Sequence, residues 1–372
     1  MSRRIADLAA AHKAIDDFIG PRPEPREALI AAKCRGLMIG YHARWSGADF
    51  RPTAIESTTR ATLFNPETHH PSRTFTVAGK LDVIGFQGDR LILMDHKTCS
   101  EDIEDPNSTY WRQLIVESQL SHYMLLEWIN GRKLDGGLWD VIRKPSISPK
   151  LLSKKDFESV TFLKKYMGQP ISEESIAALH AEARETPEMY AMRLAIDCTE
   201  ARPHWYFQRR FFPRLDMELH EQAKELWDHS QEIIQARRHN RWPRNSRACM
   251  LYGSPCKFLG ICSGHDELDS SNWRLKSQVH NELQLEGDGR DVLTNSRIGS
   301  FQTCRRKHFY EYELGIQRVE EDEKESLYFG ECIHAALAAW FLSQQSDEQQ
   351  KGEYGNNDAD SSDSEFETAS IH

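Results

Sequence analysis

Residues 74–98 read TFTVAGKLDVIGFQGDRLILMDHKT, two runs of β-branched and apolar residues joined through Gln87-Gly88-Asp89. Such a pattern folds as a β-hairpin. The hairpin constrains three charged side chains. Asp82 sits on its first strand, while Asp95 and Lys97, two residues apart on the second, project from one face. Two neighbouring strands can therefore gather two carboxylates and a lysine. That set suits phosphodiester hydrolysis, in which carboxylates and a main-chain carbonyl hold Mg²⁺ or Mn²⁺ and a lysine orients water or offsets developing charge. An isolated Asp-x-Lys is more often a solvated edge pair, so the surroundings decide.

Upstream, REALIAAKCRGLMIGYHARW (26–45) places Leu29, Ile30, Cys34, Leu37, Met38 and Tyr41 at helical spacing. TAIESTTRATLF (53–64) reads as a strand, QLIVESQLSHYMLLEW (113–128) as a buried helix, and GGLWDVIRKP as a strand stopped by Pro145. Residues 150–240 are mainly helical, with a strand at HWYFQRRFF (204–212). The expected organisation is one elaborated α/β domain over 1–262, a polar linker at 263–293, a helical segment at 294–342 and a disordered acidic tail at 343–372.

The tail carries eight Asp and Glu against Lys351, which accounts for −7 of the formal charge of −10. The body is close to balanced, so charge neither supports nor excludes a nucleic-acid partner. No apolar run approaches the ~20 residues of a membrane span, and MSRRIADLAAAHKAIDDF has charges where a signal peptide is apolar. A soluble, cytoplasmic protein without a membrane partner is expected. Eight cysteines in such a protein point to metal ligation or buried thiols before disulfides.

G-K-L-D-V-I (79–84), D-H-K-T (95–98) and Q-L-S-H-Y (119–123) follow one another in that order, and the stretch from Met94 to Tyr123 is followed by LWDVIRKP. This series resembles the PD-(D/E)XK nuclease superfamily, in the RecB-like branch carried by phages and prophages. The resemblance implies a restriction-endonuclease-like core, a mixed central sheet flanked by helices with helical additions. It implies Asp82 and Asp95 as metal ligands together with the His96 main-chain carbonyl, Lys97 as the catalytic lysine, and Gln119 and Tyr123 as residues that organise the site or position the substrate strand.

Cys249, Cys256 and Cys262 fall in RACMLYGSPCKFLGICSG, a loop-like segment with Gly253, Pro255 and Gly260. In RecB-like nucleases with an iron–sulfur cluster, three such cysteines follow the core and a fourth lies in a distant helix. SRIGSFQTCRRKHFYEY is similar to that helix, with Cys304 in the ligand position. Four thiolates suit a [4Fe–4S] cluster or Zn²⁺, and the resemblance favours the cluster in a structural role. Cys34, Cys99, Cys198 and Cys332 read as ordinary thiols.

The order of elements departs from that family. Its cysteine helix and a G-x-x-x-H helix come first, whereas here they come last, as FQTCRRKHFYEY and FGECIHAALAAWF (329–341). The chain reads as a circular permutation joined through 263–293, a change tolerated in surface connections. If the last segments fold back on their own core, His334 completes the metal site and Cys304 the cluster. A fragment of a degenerate array, or a segment swapped between neighbouring molecules, would leave the site incomplete.

Phosphate contacts are expected from Arg143 and Lys144, Arg209 and Arg210, the 236–247 run, and Arg305, Arg306 and Lys307; Trp242, Phe309 and Tyr310 could stack bases. The resemblance implies a deoxyribonuclease, an exonuclease of phage recombination, replication or end processing, acting on single-stranded DNA or free ends. The competing expectations are a DNA-binding scaffold that has lost turnover and an RNA-directed nuclease. The acidic tail could hold a protein partner.

Overall fold

The computed structural model describes residues 2–277, 279–280, 283, 289–319 and 325–352. In chain order it comprises α1 (Ser2–Ile19), α2 (Pro25–Trp45), β1 (Arg51–Phe64), β2 (Pro71–Gln87), β3 (Arg90–Cys99), α3 (Thr109–Val116), α4 (Ser118–Ile129) and β4 (Gly136–Arg143). A peripheral unit follows, with α5 (Lys154–Leu163), β5 (Lys165–Tyr166), β6 (Gln169–Pro170), α6 (Glu173–Ala181) and α7 (Pro187–Ile196). Then come α8 (Pro203–Tyr206), β7 (Phe207–Phe212), α9 (Asp216–His239), α10 (Leu259–Ser263), β8 (Trp273–Leu275) and β9 (Asp291–Leu293). The last elements are α11 (Asn295–Thr303), α12 (Arg305–His308), a π-helical turn at Phe309–Glu313, β10 (Ile316–Arg318) and α13 (Glu325–Gly352).

Local chemistry sets several boundaries. Pro25 opens α2, where the Glu27 carboxylate accepts from the Glu24 amide at 2.8 Å. Gly88 turns the β2–β3 hairpin with φ +60°, a conformation that favours glycine. The expected helix over 113–128 is two helices, because Glu117 leaves helical geometry at ψ 124°.

The mixed sheet runs β1-β2-β3-β4-β7, with β9 paired to β2. β3 and β4 are parallel, and β1–β2, β2–β3 and β4–β7 are antiparallel. Side-chain alternation divides the core into two layers. Ile92 and Met94 of β3 pack with α1, α2, α7 and α13, whereas Leu93 packs with α3, α4, α9 and α11. The expected mixed sheet flanked by helices is therefore the fold.

The β2–β3 ladder stops at Val83↔Met94. β1 continues along β2 to Pro71, so β9, which pairs in parallel over Phe75–Val77, takes the edge that β3 leaves. The end of the 263–293 segment thus completes a sheet begun before it. That segment is not wholly irregular, since β8 lies within it and pairs with β10. Residues 343–352 of the expected tail are the end of α13, and 353–372 lie outside the described residues. Among the described residues no helix is long and apolar enough to cross a membrane.

Candidate functional site

The parting of β2 and β3 creates the site. Asp82 and Asp95 are the next residues on either strand after the last ladder pair. The His96 amide, which no longer meets a carbonyl of β2, donates instead to Asp82 Oδ2 at 2.7 Å. On the other side of Asp82, the pairs Ile55↔Val83 and Ser57↔Leu81 put Glu56 of β1 directly opposite it. Glu56 adopts φ +49°, and a non-glycine residue in that region costs about 1–3 kcal/mol. Its carboxylate pairs with Lys80.

α13 reaches this opening from the opposite face of the sheet. His334 Nδ1 lies 3.7 Å from Asp82 Oδ1, and Glu56, Asp82 and His334 each offer a ligand atom within 4.8 Å of the others. Burial and the neighbouring Asp95 push the Asp82 carboxyl up to about 7, against the pull of His96 and Lys97. Burial lowers the His334 pKa despite Asp95 and Glu56, which favours the neutral imidazole that metal ligation needs. Crowded carboxylates beside a neutral imidazole fit a divalent cation, the charge that relieves their repulsion.

Of the residues expected to hold a metal, the fold brings two close together. Asp82 and His334 come together, and Glu56, which the motif reading missed, joins them. Asp95 lies outside that compact group, with its Oδ2 2.6 Å from Lys97 Nζ. The His96 main chain meets Asp82 through its N–H; the role expected of His96 was for its carbonyl, toward a cation. The signal for Glu56 was an acidic residue in the middle of a strand, where glutamate is disfavoured.

Lys97 also donates to Gln119 Oε1 at 2.7 Å, and Gln119 Nε2 donates to the Tyr123 hydroxyl at 3.0 Å. Burial lowers the Lys97 pKa, but Asp95 and Asp82 more than offset it, so the net shift is upward and the ammonium is retained. Gly79 makes room for Tyr123, since a Cβ there would meet Cε1 at 2.5 Å. A cavity of about 210 Å³ runs past these groups between Gly79, Lys80, Gln119 and Tyr123 and the start of α11 at Asn295 and Ser296.

The cysteines converge at a second place. Cys304 links α11 to α12, and its Sγ accepts from the Asn245 amide at 3.3 Å. Cys249 Sγ donates to the Asn245 carbonyl at 3.7 Å, and the Cys256 amide donates to the Cys249 carbonyl at 2.8 Å. Burial raises the Cys262 thiol pKa; Arg244 and Arg306 oppose it, while Cys249 and Cys304 add to it. Phe258, Trp273, Tyr310 and Ile316 form the apolar wall behind Cys256 and Cys262. The thiols do not form a group as compact as Glu56, Asp82 and His334. Cys34, Cys99, Cys198 and Cys332 are buried elsewhere.

Several expected DNA contacts are corrected by burial. Arg209 donates to Asp140 Oδ1 at 3.0 Å and is enclosed. Burial raises the Asp140 pKa, but Arg209 and His96 overcome it and hold the carboxyl well below its usual range. Arg143 lies over the Trp205 ring at 4.1 Å and 3.6 Å from Asp102, and Lys144 lies half-buried over Phe329. Trp242 and Tyr310 are core residues, Trp242 stacking on His308, so neither presents a face to a base. Arg305 pairs with Glu232 at 3.0 Å, and Arg306 donates to the Trp242 carbonyl; both line an open groove with the end of α9. Lys307, half-buried on α12, acts on Glu311.

A family model, the PD-(D/E)XK nuclease superfamily, matches residues 292–367. Members of that superfamily are usually nucleases, and they generally use Mg²⁺ or Mn²⁺. No curated protein and no solved structure matches the chain. The matched stretch contains Cys304 and His334, whereas Glu56, Asp82, Asp95 and Lys97 precede it. The fold brings the two parts together.

Proposed function

We propose that the chain is a metal-dependent deoxyribonuclease, an exonuclease that acts in the cytoplasm on single-stranded DNA or free ends during phage-type recombination, replication or end processing. The observation that carries this reading is His334 of the matched segment lying against Asp82 and Glu56, beside the Asp95–Lys97 pair. In this reading the late elements are the permuted beginning of the nuclease domain and complete the site within one chain.

Glu56, Asp82 and His334 would hold the cation, with Asp95 in reach. When bound, Mg²⁺ or Mn²⁺ supplies Lewis-acid charge to the phosphate and lowers the pKa of the attacking water. Lys97, kept protonated and aimed by Asp95 and Gln119, offsets negative charge as it grows on the phosphate. Tyr123 and Gln119, on the cavity wall, position the strand.

The four cysteines would bind a [4Fe–4S] cluster that ties α11 to the segment after α9. Four thiolates would also suit a tetrahedral Zn²⁺; the resemblance of the cysteine segments to those of cluster-bearing RecB-like nucleases favours the cluster.

Anaerobically purified protein should degrade linear DNA with Mg²⁺ or Mn²⁺ and leave closed circular DNA intact, and Lys97→Ala and His334→Ala should each abolish degradation. Cutting of circles would replace the exonuclease assignment with an endonuclease. Folded, iron-bearing protein that cleaves neither DNA nor RNA would replace the enzyme with a DNA-binding scaffold.

A further inference from the structure

Alternation along β3 turns Asp95 and Lys97 to one face and His96 to the other. On that other face the His96 ring is enclosed, with Nδ1 2.9 Å from Asp140 Oδ2 on β4, its register partner. Asp140 also accepts from the Tyr41 hydroxyl of α2 at 2.5 Å and from Arg209 Nε of β7 at 3.0 Å. Arg209 donates in turn to the Tyr41 hydroxyl at 2.6 Å and lies over the Trp45 ring at 4.3 Å. Asp140 and Tyr41 are 0 % exposed and His96 3 %.

A buried ionic network of this kind is weak as a source of stability, because desolvation cancels much of the attraction and an apolar replacement often does as well. Its geometry suggests what else it achieves. His96 stands between Asp95 and Lys97, and its own amide holds Asp82 Oδ2. A ring anchored by Asp140 fixes the backbone from which all three contacts are set. The same ring stacks on Phe341 at 5.5 Å, and Trp340 meets the edge of Tyr41 at 5.2 Å. The network therefore also seats α13, the helix that carries His334.

We propose that Asp140 is a positioning residue for the cation site: by holding the His96 ring it orients the His96 amide, and through that amide the Asp82 carboxylate, toward Glu56 and His334. Tyr41 and Arg209 hold Asp140 in turn. This rests on the reading that Glu56, Asp82 and His334 take a divalent cation.

The test is Mn²⁺ binding to the full chain, followed by loss of the free-ion electron paramagnetic resonance signal at a temperature where circular dichroism shows each variant folded. Wild type, Asp82→Asn, Asp140→Asn and His96→Phe are compared. His96→Phe keeps an aromatic ring for Phe341 but has no donor for Asp140, so it supports the test if Asp140→Asn does not fold. The expected result is binding lost in Asp82→Asn and weakened about 10–100-fold in Asp140→Asn and His96→Phe. A merely structural role would lower the melting temperature and leave the affinity of the folded protein unchanged; that result overturns the proposal. Equal binding by wild type and Asp82→Asn, or none by either, would instead remove the cation site and the positioning role with it.

Discussion

His334 Nδ1 and Asp82 Oδ1 lie 3.7 Å apart, one on α13 and the other on β2. That is too long for a hydrogen bond, and two ligands of an ion with bonds of about 2.1 Å stand roughly 3 Å apart. A small closure around a cation would satisfy both. Because α13 also packs with α1 and α2 in one core layer, the late segment is built into the domain rather than appended to it.

Glu56 gives the sharpest test of the site as found. If its carboxylate is a ligand, Glu56→Gln should weaken Mn²⁺ binding by at least about tenfold and slow cleavage at limiting metal. Calorimetric titration checks this. Unchanged affinity would reduce Glu56 to the partner of Lys80 across the strand pair.

Lys97 should separate chemistry from binding. Its ammonium contacts Asp95 and Gln119 and lies outside the compact ligand group. Lys97→Met is expected to keep Mn²⁺ binding while single-turnover cleavage falls about 10²–10⁴-fold. Loss of metal binding in that variant would assign the lysine to ordering Asp95 instead.

The strands and the hairpin were legible because alternation and the Gly88 turn are local signals. Asp82, Asp95 and Lys97 were legible from alternation on two neighbouring strands, and Gln119 and Tyr123 only through the resemblance to a known family; the structure links Asp95, Lys97, Gln119 and Tyr123 in one chain of contacts. Glu56 was not legible, since its place opposite Asp82 comes from the register of β1 on β2, which no single strand encodes. Arg209 stands in a basic pair that suggests a phosphate contact, yet it faces inward where the buried Asp140 takes it, and Trp242, an aromatic for which stacking and core roles were both open, stacks on His308 in the core. β8 escaped notice because three residues carry no periodicity, and its partner β10 comes after the linker.

The cysteine site predicts a bound group rather than four free thiols. Wild type purified without oxygen should contain about four irons per chain, and Cys304→Ser should lose them and melt at a lower temperature, because Cys304 joins α11 to the Asn245 segment. Stoichiometric zinc with no visible absorption would replace the cluster with a single ion.

The join between the late segment and the earlier domain should be acid-sensitive. Arg297 of α11, only 1 % exposed, reaches Asp291 at 2.6 Å and Glu313 at 3.0 Å, and Arg237 of α9 bonds the same two carboxylates. Burial raises the Asp291 pKa, but Arg297 and Arg237 reverse this and hold it well below the ordinary range. An acid whose folded pKa is depressed contributes stability above its unfolded value of about 3.9, and loses that contribution as pH falls through the folded value. Asp291→Asn should therefore be less stable than wild type at pH 7 and lose less between about pH 4 and pH 2. Arg297→Met, which strands two carboxylates on Arg237 alone, should cost about 3 kcal/mol at neutral pH. Thermal melts across that pH range check both variants. If Arg297→Met melts with wild type at pH 7, the clamp adds nothing to the docking of the late segment, and β9 and α13 must carry that docking alone.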